Sequence, residues 1–212
     1  MYVPEHFAEV RPDAIAALIA DHPLGAFVVR GTDGLDANHI PFELMPEQGP
    51  RGTLIAHVAR ANSVWREVRD GDEALVIFRA EHAYVSPNWY PSKHEQHRQV
   101  PTWNYRVVHV HGKVTIRDDE RFVRGVVARL TRRHEAATGD SRPWKMTDSD
   151  PAYIDDMLTR IVGIEVAIER IVGKWKLSQN KDARDRAGAA EALEQRTPAM
   201  AASMRGTLPG ER

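Results

Sequence analysis

Lys174, Trp175, Lys176, Leu177, Ser178, Gln179 and Asn180 bring two ammonium groups, an indole, a hydroxyl and two amides into consecutive positions. The apolar run Ile161 to Val172 leads directly into them. Two unpaired charges in a core cost several kcal/mol, roughly, so the segment is expected at a strand end facing water, a partner chain or an anionic ligand. On a continuing strand Lys174 and Lys176 share one face and Trp175 takes the other. Two cations followed by Ser178, Gln179 and Asn180 suit a phosphate. The alternative is a solvated strand end with a buried indole.

A second group of chemical interest is His57, Arg60 and Asn62, which follow the apolar strand pattern beginning at Thr53. Asn62 or Ser63 can cap a short helix beginning at Val64, whose free N–H groups would favour an anion. A capped helix carrying a surface arginine accounts for the same residues. The histidines offer a third chemistry. His94 and His97 lack the i, i+4 spacing of a helical zinc motif, while His109 and His111 project together from one strand face. A wet or interfacial face explains that pair without a metal, and no metal site is assigned.

These residues need elements to position them. At 212 residues, with 29 basic and 30 acidic side chains and a formal charge of −1, the chain can bury a sizeable core and has no global pull toward nucleic acid or an anionic membrane. The absence of cysteine excludes disulfides, thiolate metal ligation and a cysteine nucleophile. The start lacks a basic n-region and an apolar h-region, and no later stretch supplies some 18 uncharged apolar residues. The expectation is a soluble, cytoplasmic protein without membrane partners.

Strand patterns are read over 26–29, 35–44, 53–58, 73–78, 106–116 and 161–172, joined by short turns, with Pro41 marking an edge or bulge. Along 106–116, Val108, Val110, Val114 and Ile116 alternate with His109, His111, Lys113 and Thr115, so one face is core. Helices are expected over 14–20, 120–135, 151–158 and 181–196. The helix over 120–135 carries Phe122, Val123, Val126, Val127 and Leu130 on one side and Arg121, Arg124, Arg129, Arg132 and Arg133 on the rest, either a solvated face or a DNA contact. Tyr84 to Pro91, rich in aromatics and proline, reads as an ordered loop covering something flat, and Ser92 to Gln99 as a polar, mobile segment. The fold class is mainly β with peripheral helices (α+β). One domain is expected over 1–196, followed by a flexible tail over 197–212.

Four segments together resemble the PaiB-type FMN-binding negative transcriptional regulators: Met1-Tyr2-Val3-Pro4-x-His6-Phe7; His57-Val58-Ala59-Arg60-Ala61-Asn62; Tyr84-Val85-Ser86-Pro87-x-Trp89-Tyr90 with Val100-Pro101-Thr102-Trp103-Asn104-Tyr105; and Gly173 to Asn180. The resemblance runs from Met1 to about Gln195, leaving Lys93 to Gln99 and the tail unaligned. It implies an FMN-binding split β-barrel that forms a homodimer with flavin at the subunit interface, and a role in repression linked to sporulation and protease synthesis. On this reading FMN is held by His57, Arg60, Asn62, Trp103, Asn104, Lys174, Lys176, Ser178 and Gln179, with Trp89 as a further wall for the ring. DNA is the partner expected of a regulator. A flavin-dependent oxidoreductase using NADH or NADPH is the competing function; beyond His57, Tyr105 and His109 no acid or base stands out, so its catalytic residues are unknown.

Overall fold

Alternating apolar and polar positions generate most of the backbone order in the computed structural model, which describes residues 1–208. In chain order the elements are β1 (Ala8–Glu9), α1 (Pro12–Asp21), β2 (Leu24–Gly31), β3 (Gly34–Pro41), β4 (Glu43–Met45), β5 (Thr53–Ala59), α2 (Val64–Glu67) and β6 (Glu73–Val85). They continue with α3 (Pro91–Gln96), β7 (Thr102–Arg117), α4 (Glu120–Ala137), α5 (Pro151–Thr159), β8 (Ile161–Lys176), α6 (Ala183–Leu193) and α7 (Pro198–Arg205). The strand order is β3-β2-β6-β7-β8-β5-β4, with β1 also pairing β8. Pro41 ends β3, the outermost strand, where a missing N–H costs least.

The chain divides into two compact units. Unit 1 comprises Met1–Leu18, Arg79–His109 and Val172–Arg212, and unit 2 comprises Ile19–Phe78 and Val110–Ile171. β6, β7 and β8 contribute residues to both. They run 13, 16 and 16 residues, well beyond the five or six typical of a strand. The sequence patterns for β6 and β8 stop at Phe78 and Val172 because polar or mixed residues take over there, although backbone pairing continues.

In unit 2, β2 and β3 form a hairpin that Gly34 closes at a φ of 118°, a conformation costly for any residue with a side chain. Phe27, Phe42 and Phe78 are buried together, with centroids 6.0 Å apart for both the Phe27–Phe42 and Phe42–Phe78 pairs. Asp119 caps α4, its carboxylate accepting from the Phe122 amide at 2.8 Å. Val126 and Leu130 then pack on Met45 and Ile55, which matches the apolar side read for this helix. Val108, Val110 and Val114 of β7 are fully buried.

Gly112 of β7 has no room for a side chain: a Cβ built there would lie 2.2 Å from the Ala167 carbonyl and 2.9 Å from Val166 Cγ1. Gly112→Val is therefore expected to destabilise by about 3 kcal/mol or more, since the obstruction is backbone and cannot rotate away. Equilibrium urea unfolding checks this; a loss below about 1 kcal/mol would show that β7 and β8 tolerate a wider spacing.

In unit 1 the segment expected to be mobile, Ser92 to Gln99, instead contains α3. Pro91 starts the helix, and the buried Asp185 of α6 accepts from Ser92 N at 3.0 Å and Ser92 Oγ at 2.5 Å. Gln99 Nε2 adds a bond to the same carboxylate at 3.1 Å. The tail expected to fray from Ala199 contains α7, with Met200, Ala201 and Met204 buried. Their i, i+1, i+4 spacing is a helical stripe, visible in the sequence but obscured by the small residues around it. The remainder of that expected tail, 209–212, lies outside the described residues.

Candidate functional site

The strand β8 carries Lys174 and Lys176 in unit 1, and neither ammonium faces a carboxylate within ion-pair distance among the described residues. Lys174 is buried at 8 % exposure rather than turned outward as expected. Its Nζ donates to the Tyr2 carbonyl at 3.0 Å and lies 5.7 Å and 5.4 Å from the ring centroids of Tyr2 and Tyr105. β1 makes this contact possible, because Ala8 pairs with Lys174 and Glu9 with Gly173. Gly173 is needed there: a Cβ would meet the Glu9 carbonyl at 2.8 Å. The first and last segments of the family pattern thus meet, although 172 positions separate Tyr2 from Lys174.

Lys176 is half-buried, and its Nζ donates to the Trp103 carbonyl at 2.7 Å and to Thr102 Oγ1. Burial, with the charge of Lys174 as a lesser cause, holds this ammonium below the ordinary lysine value. Its neighbour Trp103 is exposed, and His82 stacks on the indole at 6.0 Å and 25° while Tyr84 meets it edge-on at 6.1 Å. Nothing in the sequence singles out His82; only its alternation with Tyr84 and Ala80 on β6 could have placed it beside Trp103.

Three other expected ligands face inward. Asn104 is fully buried, its Nδ2 donating to Ser178 Oγ at 2.9 Å and approaching Met204 Sδ at 3.3 Å. Ser178 adopts a φ of 65°, unusual for a residue with a side chain, and its hydroxyl also lies 3.4 Å from the Tyr90 phenol. Gln179 closes its own turn, accepting from Leu177 N at 2.7 Å and donating to the Trp175 carbonyl at 2.6 Å. Asn104, Ser178 and Gln179 therefore brace the end of β8, while Lys176 and Trp103 present groups at the surface. Trp89 lies under Arg196, whose guanidinium is 5.4 Å from the ring centroid.

His57, Arg60 and Asn62 belong to unit 2. Arg60 was read as a free donor to an anion, but its Nη1 and Nη2 donate to Asp118 at 2.9 Å and 2.5 Å. Its Nε donates to the Thr159 carbonyl at 2.7 Å. Asp118 is held below its usual carboxylate range by this hydrogen-bonded guanidinium. Asn62 donates to Asn38 Oδ1 at 2.7 Å and accepts from Val64 N at 2.9 Å, so the amide expected to be free at α2 is used locally. His57 pairs with Gly163 on β8; burial pushes its imidazole below the ordinary value, and its buried Nδ1 has no hydrogen-bond partner among the described residues. His109 falls in unit 1 and His111 in unit 2, and no cluster of three or more metal-ligating side chains occurs among the described residues.

The antiparallel sheet with peripheral helices defines an α+β protein of the split β-barrel class. Residues 1–170 match the family described as "Putative FMN-binding domain", and the chain belongs to that family. It is 31% identical over 237 aligned residues to an uncharacterised protein of Aspergillus fumigatus, covering 92% of this chain and 91% of the relative. It is also 27% identical over 194 residues to the protease synthase and sporulation protein PAI 2 of Bacillus subtilis, covering 92% of this chain and 89% of that protein. The family expected from the four sequence segments is thus the one found.

Two solved structures share the fold at low identity. The FAD and heme binding protein from Mycobacterium smegmatis gives a TM-score of 0.55 at 16% identity, covering 80% of this chain and 73% of that one. The flavocytochrome Anf3 from Azotobacter vinelandii gives 0.56 at 11%, covering 82% and 72%. Among the described residues, no helix is long and apolar enough to cross a membrane.

Proposed function

We propose that this chain binds FMN and acts as a flavin-dependent regulator of transcription, working as a homodimer. The observation that carries the flavin reading is the pair Lys174 and Lys176, two ammonium groups satisfied only by neutral acceptors. A desolvated cation without a counter-charge is costly, and an anionic ligand offsets that cost. Lys176 would meet the anionic part of FMN while the exposed Trp103, set on edge by Tyr84 and stacked by His82, would lie against the flat ring. Asn104, Ser178 and Gln179 would hold these groups in place from within. Bound FMN would supply redox or light-absorbing chemistry; the protein's share is to bind and orient it. The family membership supports FMN in particular, the resemblance of the four segments to PaiB-type regulators supports the regulatory role, and the Bacillus relative's name links it to protease synthesis and sporulation.

Protein purified after expression in a flavin-replete host is expected to be yellow, to release FMN on denaturation, and to retard specific DNA fragments at two salt concentrations. Retardation that falls steeply with salt and ignores sequence counts against regulation. Rapid bleaching of the flavin by NADH or NADPH, without any sequence-selective retardation, would favour the oxidoreductase instead.

A further inference from the structure

We propose that the cleft along α4 in unit 2 is a second ligand site, built for a compact phosphate anion of the pyrophosphate or nucleoside polyphosphate class. It encloses about 290 Å³ and is bordered by Gln48, Arg117, Asp119, Arg121, Gly125 and Arg129. Arg121, Gly125 and Arg129 stand at i, i+4 and i+8, so they form one stripe of α4 roughly 12 Å long. The middle position lacks a side chain, and a Cβ built on Gly125 would meet nothing within 4 Å. A ligand can therefore approach the helix between the two arginines.

The charges of this cleft do not cancel. Arg117 is matched by Glu165 at 3.0 Å and Asp119 at 3.3 Å, and Asp119 also caps the Phe122 amide. On a neighbouring face of α4, Arg124 holds both Glu120 at 2.7 Å and Asp155 at 2.6 Å. Arg121 and Arg129 have no such partner among the described residues. Two planar forks that can each bind phosphate oxygens bidentately are thus left facing a concave space, with the Gln48 side chain at its border.

The carboxylates nearby are already matched. The groove at the start of α4 is lined by Asp118, Asp119, Glu120, Asp155 and Asp156, and each is ion-paired with Arg60, Arg117, Arg124 or Arg160. The two unmatched cations of the cleft stand on one helical stripe roughly 12 Å long, a span suited to a compact polyanion.

The test is calorimetric titration of the protein as purified with inorganic pyrophosphate at low ionic strength, alongside a separate FMN titration. Saturable one-to-one binding is expected, weakened about tenfold or more by Arg121→Gln/Arg129→Gln. Gly125→Leu should weaken it similarly by filling the cleft; since leucine favours helix over glycine, this variant should melt no lower than the parent. FMN affinity should be unchanged in both. No saturable binding at millimolar pyrophosphate, or equal binding by the variants, overturns the proposal. So does duplex DNA binding that the variants lose while pyrophosphate does not bind, which would make the stripe a nucleic-acid surface. Loss of FMN affinity in the variants would overturn the second site by assigning the cleft to the flavin phosphate.

Discussion

Arg106→Met is expected to lower the free energy of unfolding by about 2–3 kcal/mol at neutral pH, less than the loss from a fully buried pair because this ion pair is only partly buried. Arg106 on β7 donates from Nε to Glu81 Oε1 at 2.5 Å and from Nη2 to Glu81 Oε2 at 2.9 Å, and the two side chains are 25% and 10% exposed. Ser203 of α7 donates to the same carboxylate, and the guanidinium lies 5.7 Å from the Trp175 ring centroid. Removing the arginine leaves Glu81 buried with one hydroxyl donor and removes a contact with the indole of β8.

The pH dependence gives this prediction a sign as well as a size. Burial alone would raise Glu81, but the hydrogen bonds from Arg106 and Ser203 outweigh it, so the folded carboxyl titrates below its ordinary value. Its stabilising contribution is therefore complete above the unfolded value of about 4.3 and is lost as pH falls through the lower folded value. Without Arg106 the folded value rises, because burial is then opposed only by the Ser203 hydroxyl and a backbone hydrogen bond. The variant therefore loses less on acidification than the parent does, so its deficit against the parent should shrink between pH 7 and pH 4. Urea unfolding at both pH values measures it. A loss under about 1 kcal/mol, or one of equal size at both pH values, would mean that Glu81 is well solvated without its partner. Adding Glu81→Leu to the variant should restore part of the loss, because no charge then remains buried.

Lys176→Ala should weaken FMN binding by about 1.5–3 kcal/mol, on the order of tenfold to a hundredfold in Kd, the range for a hydrogen bond to a charged group. The side chain is held at the end of β8 by Thr102 Oγ1 and the Trp103 carbonyl, so its ammonium is already positioned before a ligand arrives. Its lowered pKa has burial as the main cause, and an anion placed beside it would raise that value again. Lys176→Arg should retain more affinity than Lys176→Ala. Flavin fluorescence titration of both variants, with far-UV circular dichroism confirming the fold, is the measurement. Identical titration curves for parent and Lys176→Ala would remove this lysine from the flavin site.

Period-two patterning made the strands legible wherever one face was wholly apolar. β7 shows this best: Val108, Val110 and Val114 are buried, and their alternation alone predicts it. α4 was equally readable, since Asp119 supplies the cap and Val126 and Leu130 the stripe. The extents of β6 and β8 were not, because pairing continues past Phe78 and Val172 through residues whose side chains carry no clean period. α7 was missed for a related reason, its stripe being made of Met and Ala rather than larger apolar groups.

The amino-acid order alone determined that two lysines, an indole, a hydroxyl and two amides would lie near the end of the last strand, since short-range spacing and strand periodicity are local properties. Which cations remain uncompensated was decided only by the fold. Arg60 finds Asp118 58 positions away and Arg106 finds Glu81 25 away, whereas Lys174 and Lys176 meet carbonyl and hydroxyl oxygens. Pairing of charges depends on distances through space, which backbone register and helix packing set, and no local pattern encodes them.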